Sequence, residues 1–154
     1  MENGTVLAIF IRHIAGAPMQ LVNEATALAG QGLMGDAYSR GEGSYSQGKV
    51  GRRQVTLING AFFPGSAFNH ADSRRNIVTD GVELMRFIGY EFRIGGVLMR
   101  GVKYCEPCDR PSRISGNKES FEKTFFDRGG IIAEILKTGP IRVGDLVVPP
   151  PKGY

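Results

Sequence analysis

The fold is decided by residues 91–108, which read EFRIGGVLMRGVKYCEPC. Gly95-Gly96 can adopt the positive φ angles of a two-residue hairpin turn, and the flanking segments Glu91–Ile94 and Val97–Tyr104 have the composition of strands. The stretch therefore predicts a β-hairpin whose second strand leads directly into the cysteine pair Cys105-Glu106-Pro107-Cys108.

Segments on either side of the hairpin have the same character. They are short, rich in β-branched or aromatic residues and separated by Gly and Pro turn signals: Thr5–Ile14, Met19–Leu28, Arg53–Ile58, Asn76–Thr79, Ile131–Leu136 and Ile141–Val148. Apolar spacing predicts a two-turn helix over Val82–Ile88, a short helix within Ser115–Asp127 and a helical piece within Asn59–Asp72. Together they predict a mainly β fold, a closed or partly closed β-barrel of short, mostly antiparallel strands with two or three short helices.

Length and composition narrow the class of protein. A chain of 154 residues has the length of one domain, so we expect a single domain over 1–154 that ends in a proline-rich tail over 149–154. The net charge of +4 comes without a Lys/Arg-rich tract, which disfavours nucleic acid as a partner. The apolar run Val6–Ile11 is too short for a signal segment or a membrane span, which predicts a cytoplasmic protein that does not bind membranes.

The two cysteines leave several interpretations open. A closed zinc site needs four ligands, and the two histidines, His13 and His70, are distant in the sequence. A thioredoxin-like dithiol needs a helix that starts after the pair, which Pro107 and the segment Asp109–Ser112 disfavour. A single reactive thiol with a bystander and two inert cysteines are the remaining interpretations.

Two further segments have the chemistry of an anion site. Gly32-Leu33-Met34-Gly35-Asp36, within a glycine-rich loop over Gly30–Gly51, is either a backbone nest or a tight turn capped by Asp36. Ser73-Arg74-Arg75-Asn76 offers two guanidinium groups and an amide to a phosphate or carboxylate, or is a pair of surface arginines. Strand alternation predicts that Arg74 and Asn76 face a cleft and that Arg75 faces away. We expect the glycine-rich loop and the segment Cys105–Ser112 to line that cleft.

Read in order, these segments resemble the MOSC family, the molybdenum cofactor sulfurase C-terminal domain. GLMGDAY at 32–38 is similar to the family's glycine-rich GLxGD segment, RQVTLI at 53–58 to its next strand and RRNIVTDGVEL at 74–84 to its RRN segment. FRIG at 92–95, CEPC at 105–108, RGGI at 128–131 and IRVGD at 141–145 follow in family order. The resemblance spans most of the chain and indicates a small stand-alone member.

The resemblance implies a barrel-like fold that binds a molybdopterin-type molybdenum cofactor or carries sulfur. It makes Cys108 the catalytic thiol and the metal ligand, and it implies that Arg74 and Asn76 hold the pterin and phosphate of the cofactor. The glycine-rich segment with Gly32, Gly35 and Asp36, together with Arg75, completes the expected cofactor-binding set.

The function that the resemblance implies is a molybdenum-cofactor-binding or sulfur-carrier domain, such as the substrate-side part of a reductase of N-hydroxylated compounds. Such a domain needs an electron-donor or sulfur-donor protein as partner, because no flavin, haem or iron–sulfur motif is present in the sequence. The alternative is a non-catalytic module that binds a small anion or another protein. Pyridoxal phosphate is not expected to bind, because the chain has no room for the desulfurase domain of full-length sulfurases.

The two cysteines are expected to behave differently. Cys108 lies two residues before Arg110, and the Arg110 and Arg74 cations would stabilise its thiolate if the cleft forms. Alternation along the preceding strand places Val97, Met99, Gly101, Lys103 and Cys105 on one face. Cys105 is therefore expected to be a packing residue or a nearby resolving thiol.

Overall fold

The computed structural model describes residues 2–151, and its central feature is a closed ring of β-strands. The strands are β1 (Gly4–Ile11), β2 (Gln20–Val22), β3 (Glu24–Leu28), β4 (Gly32–Leu33), β5 (Val55–Asn59), β6 (Ile77–Asp80), β7 (Glu91–Ile94), β8 (Val97–Tyr104), β9 (Ile131–Ile135), β10 (Gly139–Arg142) and β11 (Leu146–Val148). The ring runs β11-β7-β8-β9-β5-β6-β1 and closes where β11 pairs with β1. Among the described strands only β5 and β6 pair in parallel. The predicted mainly β barrel is confirmed.

The remaining strands lie beside the ring. β2 extends the sheet from β1, and β10, β3 and β4 form a separate three-stranded sheet. Two short helices, α1 (Arg110–Ser115) and α2 (Phe121–Thr124), complete the regular structure together with four 3-10 turns. Within residues 2–151, no helix is long and apolar enough to cross a membrane.

Apolar side chains are buried on both faces of part of the ring. The interior is filled by alternate strand residues, among them Leu57 and Ile77, which are fully buried. Their sequence neighbours Ile58 and Val78 point to the opposite face, as strand geometry requires. There they pack against a cluster of stacked and edge-on phenylalanine rings: Phe63, Phe68, Phe121 and Phe125. This second cluster docks α2 onto the outside of the barrel.

Two predicted elements take a different form. The prediction of a two-turn helix over Val82–Ile88 is wrong, because the segment forms only a 3-10 turn at Leu84–Phe87. Ile88 leaves the turn to form a bridge with Gly101, where a side chain on Gly101 would overlap the Phe87 carbonyl. The segment Asn59–Asp72 contains two 3-10 turns, Gly60–Phe62 and the start of His70–Ser73.

Helix α1 contradicts the expectation that no helix starts after the cysteine pair. It begins at Arg110, two residues after Cys108, with Pro111 in its first turn. A proline is compatible with this position because the first N–H groups of a helix have no acceptor within the helix. The helix predicted within Ser115–Asp127 is confirmed as α2, whose Ser120 side chain accepts a hydrogen bond from the Lys123 N–H.

The predicted proline-rich tail begins as a buried segment. Pro149 and Pro150 are buried and follow β11 directly. Residues 152–154 of that tail lie outside the described part of the chain.

Candidate functional site, a cationic cleft beside Cys108

An open cleft of about 1100 Å³ lies on the outside of the barrel. The glycine-rich loop contributes Tyr38, Ser44 and Tyr45 to its lining, and the segment after β8 contributes Glu106, Pro107, Cys108, Arg110 and Pro111. The prediction that these two segments line one cleft is confirmed. The six cations of the lining (Arg12, Arg53, Arg74, Arg75, Arg110 and Lys103) outnumber its three carboxylates (Glu106, Glu122 and Asp127), so the cleft favours an anionic ligand.

Asp36 fixes the position of Arg12 at the base of this cleft. Its carboxylate is fully buried, lies 3.5 Å from Nε of Arg12 and accepts hydrogen bonds from the Arg12 N–H, the Tyr38 N–H and the Asn76 amide. Nε of Arg12 is buried and has no hydrogen-bond partner, and burial is the main reason that the pKa of Arg12 is lowered. The predicted turn capped by Asp36 is present, and it serves to hold a buried guanidinium.

The two glycines of the predicted nest, Gly32 and Gly35, do not line the cleft but allow the backbone conformation that leads into this turn. Gly32 has a φ of 145°, and a Cβ there would lie 2.7 Å from the Gln54 carbonyl oxygen, so the close approach of the two backbones requires glycine. Gly35 has a φ of 87° and leads directly into Asp36. Their predicted contact with a cofactor stays a prediction.

Arg74 occupies the centre of the cationic group. Its backbone is left-handed, with a φ of 61°, at the end of the 3-10 turn His70–Ser73. One terminal nitrogen donates to the Ala17 carbonyl at 2.7 Å, and the Arg74 carbonyl accepts from Arg12 at 3.0 Å. Burial, followed by the nearby cations Arg12 and Arg110, lowers the pKa of Arg74 to about 10. An anion bound among these three guanidinium groups would reduce their mutual repulsion.

Arg75 lies on the same side as Arg74, so the predicted alternation of the two side chains is wrong. The left-handed conformation of Arg74 precedes the strand, and β6 begins only at Ile77, so strand alternation does not apply here. The Arg75 guanidinium lines the cleft and donates to the carbonyls of Gly129, Ser73 and Cys105. Arg75 therefore ties the segment after β8 to the start of β6.

Asn76 is absent from the lining of the cleft and holds three strands together. Its amide nitrogen donates to the Phe10 carbonyl and to Asp36, while its oxygen accepts from the N–H and hydroxyl of Thr56. The structure thus places Asn76 beneath the site, joined to it through Asp36. The prediction that Asn76 faces the cleft is therefore wrong, while its contact with a cofactor stays a prediction.

The two cysteines differ in exposure, and both are free thiols. Cys108 is half-buried and lines the cleft, whereas Cys105 is 2% exposed and receives a long hydrogen bond from Arg53, 3.9 Å from the nitrogen to Sγ. A β-bulge between Gly101 and Lys103 shifts the pairing of β8 with β9 by one residue. A one-residue shift moves the next side chain to the other face, so the prediction that Lys103 shares the face of Met99 is wrong, whereas Cys105 is buried as a packing residue. This shift brings Lys103 to the cleft.

The segment RGGI at 128–131 allows close backbone approaches beside the cleft. A Cβ on Gly129 would overlap the Cys105 carbonyl, and one on Gly130, where φ is 85°, would overlap the Leu57 carbonyl. The Cys105 N–H donates to the Gly130 carbonyl. The glycine pair thus lets the chain before α1 lie directly against the barrel.

Two residues of the site, Arg12 and Arg53, were not predicted as site residues from the sequence. Arg12 and Arg53 lie at the end of β1 and just before β5, and both guanidinium carbons lie over the Tyr38 ring at 5.4 and 5.3 Å. Arg53 also lies over Tyr45 at 4.9 Å. A charged residue at the end of a buried strand was the one available sign, and it applied to Arg12 alone.

No group of three or more His, Cys, Asp or Glu side chains that could hold a metal ion occurs among residues 2–151.

Solved structures with the same fold are found among bacterial proteins. The YuaD protein from Bacillus subtilis is 15% identical with a TM-score of 0.76, and the match covers 95% of this chain and 94% of that one. YiiM from Geobacillus stearothermophilus is 13% identical, with a TM-score of 0.68 and coverage of 94% and 74%. YiiM from Escherichia coli is 17% identical, with a TM-score of 0.65 and coverage of 100% and 72%. At these identities the likeness shows the fold alone.

A search of curated proteins finds no match to this sequence. The family model of the MOSC domain matches residues 44–148, from the glycine-rich loop through β11. The match covers more than half of the chain and contains the RRN segment, the cysteine pair and the glycine pair. The chain therefore belongs to the MOSC domain family.

Proposed function

We propose that this chain is a molybdenum-cofactor-binding or sulfur-carrier domain that works through Cys108. The observation that carries the proposal is the half-buried free thiol of Cys108 in the same cleft as Arg12, Arg74 and Arg110. Guanidinium groups are well suited to phosphate, and a thiolate is suited to a soft metal or to sulfane sulfur. The cleft could therefore bind the phosphate of a cofactor through the arginines and its metal or sulfur through Cys108.

The residues of the cleft fit a molybdopterin-type cofactor. The mutual repulsion of the three guanidinium groups of Arg12, Arg74 and Arg110 favours a phosphate group at the base of the cleft. Cys108 would be the residue that holds the molybdenum. The bound metal would supply two-electron redox chemistry, and the chain would hold the cofactor, orient it and keep Cys108 within the cleft.

As a redox domain, the protein would act on N-hydroxylated compounds and receive electrons from a partner protein in the cytoplasm. As a sulfur carrier, it would take the outer sulfur of a persulfide on a sulfur-donor protein: Sγ of Cys108 would form the new S–S bond, and the donor's thiolate would leave. Both roles need Cys108 and the arginines, and they differ in whether molybdenum is retained.

A second candidate is a non-catalytic module that binds a small anion. The arginine group favours it, because Arg12 and Arg74 are held by Asp36 and by backbone carbonyls without any contribution from the thiol. In that case the anion would bind equally well without Cys108.

The test is to express the protein in a host that makes molybdenum cofactor, and to measure bound molybdenum by elemental analysis and bound pterin by fluorescence. We expect Arg74→Ala to weaken cofactor or phosphate binding by about 1.5–3 kcal/mol, the value of a hydrogen bond to a charged group. Cys108→Ser should abolish retention of molybdenum or sulfane sulfur, while Cys105→Ser should retain most of it.

Two results would contradict the proposal. Retention of the cofactor by Cys108→Ser would leave the anion-binding module as the better account. Unchanged binding by Arg74→Ala would mean that Arg74 serves the fold and does not bind the ligand.

A further inference from the structure

A series of cation–π contacts leads from the base of the cleft to its mouth. Arg12 and Arg53 both lie over the Tyr38 ring, and Arg53 also lies over Tyr45. Tyr38 is 5% exposed, whereas Tyr45, the last ring of the series, is 58% exposed and lines the cleft. Tyr45 thus has a cation over its ring, while more than half of its side chain remains exposed.

The loop that carries Tyr45 is built to hold it there. The Tyr45 N–H donates to the Tyr38 hydroxyl at 3.2 Å, and the Gly43 N–H donates to the Ser46 hydroxyl at 3.0 Å. A Cβ on Gly43 would overlap the Tyr38 ring, so glycine lets the loop lie flat on that ring. The loop is also closed at its base, where a Cβ on Gly41 would lie 2.7 Å from the Lys49 carbonyl carbon.

We propose that Tyr45, supported by Arg53, is a stacking platform for a planar heteroaromatic ring of the size of a purine or pterin. The ring would belong to a ligand whose phosphate binds among Arg12, Arg74 and Arg110, so this inference rests on the proposed function. A tyrosine ring loses little conformational freedom when it stacks, and its face is available to any flat ring. The cleft would therefore select phosphorylated heteroaromatic compounds over other phosphate esters.

The test compares two probes that share a phosphate and differ in the ring. Isothermal titration calorimetry would measure guanosine 5′-monophosphate and ribose 5-phosphate with the wild-type protein. We expect the nucleotide to bind about fivefold or more tightly than the sugar phosphate, the lower end of what one stacked ring provides.

Variants separate the platform from the anion site. Tyr45→Ala should bring the ratio of the two affinities close to one while leaving ribose 5-phosphate binding unchanged, and Tyr45→Phe should keep the wild-type ratio. Arg74→Ala should weaken both ligands together and keep the ratio. Tyr90→Ala is the matched control, because Tyr90 is also exposed (40%) but lies outside this cleft.

The outcomes distinguish this inference from the proposed function. Equal binding of the two probes by the wild type, or an unchanged ratio in Tyr45→Ala, would overturn the platform and leave the anion site standing. Failure of both probes to bind would overturn the anion site and the platform with it. Because Tyr45 is largely exposed, circular dichroism should show that Tyr45→Ala remains folded.

Discussion

Replacement of Asp36 by asparagine tests whether the buried network beneath the cleft is needed for stability. Asp36 is fully buried and accepts hydrogen bonds from the Arg12 N–H, the Tyr38 N–H and the Asn76 amide. Asparagine keeps the shape but removes the charge that faces the Arg12 guanidinium, and it turns an N–H group toward donors that need an acceptor. Arg12 is itself only 8% exposed, so the substitution would leave its charge in the interior without a counter-ion.

The expected loss is large compared with the total stability of a domain. Removing one partner of a buried ion pair costs about 3–5 kcal/mol, and domains of this size are stable by about 5–15 kcal/mol. Urea denaturation followed by circular dichroism should therefore show a midpoint lowered by about 1.5–2.5 M if the slope is near 2 kcal/mol per M.

Two controls make this prediction specific. Asp80→Asn removes an exposed carboxylate and should change the free energy of unfolding by less than about 0.5 kcal/mol. In an Arg12→Met background the loss from Asp36→Asn should be clearly smaller, because no buried cation is left unpaired. A loss below about 1 kcal/mol, or full additivity of the two substitutions, would refute the reasoning.

Three further predictions concern the wall of the cleft. At neutral pH, a thiol-alkylation time course should modify Cys108 before Cys105, since only Cys108 lines the cleft; equal rates would contradict the assignment. Gly130→Ala should give little soluble protein, because the new methyl group would overlap a carbonyl of β5 at a φ of 85°; a thermal midpoint near that of the wild type would contradict this. Hydrogen bonds from the Ser120 hydroxyl and from the Glu122 N–H lower the pKa of Asp109. The ionised carboxylate therefore stabilises the fold at pH values above the ordinary pKa of an aspartate, about 4. This stabilisation is lost as the pH falls through the lowered pKa of the folded protein. The difference in thermal midpoint between wild type and Asp109→Asn should accordingly be present at pH 7 and disappear in acid; a constant difference would count against it.

Local signals were sufficient to predict most of the barrel. Hairpin β7–β8 followed from Gly95-Gly96 and the strand composition around it, and the structure pairs Ile94 with Val97 as predicted. The cleft-lining segments were also predictable, because a long glycine-rich loop and a proline-flanked cysteine pair are irregular by composition. These features depend on residues that are near one another in the sequence.

The errors arose where long-range contacts decide the geometry. Beside the close approach of Phe87 and Ile88 to Gly101, a bulge shifts the register of β8, and Lys103 lies in the cleft instead of on the face of Met99. The left-handed conformation of Arg74 is rare for a residue other than glycine, and no local pattern announces it. Periodicity along one segment does not contain this information.

The same limit applies to the candidate site. Arg53 was assigned only as the start of a strand, and its contacts with Tyr38 and Tyr45 appear only when the glycine-rich loop folds over it. Asn76 was expected in the cleft, yet Asp36 and the strands on either side use all of the hydrogen-bonding groups of its amide. Residue type indicated the chemistry of the site, and tertiary structure decided which residues face the ligand.

The closure of the ring has a consequence for the order in which the chain folds. β1 pairs with β11 through Gly4 and Val147, so two strands separated by nearly the whole sequence must meet before the barrel is complete. During synthesis β1 can pair with β6 once residues 77–80 emerge, but the ring stays open until residues 146–148 are available. Contacts of such long sequence separation slow folding, and an open ring exposes unpaired strand edges that favour aggregation. A change in translation speed or in chaperone supply should therefore change the yield of folded protein. It should have less effect on the stability of the protein once the ring has closed.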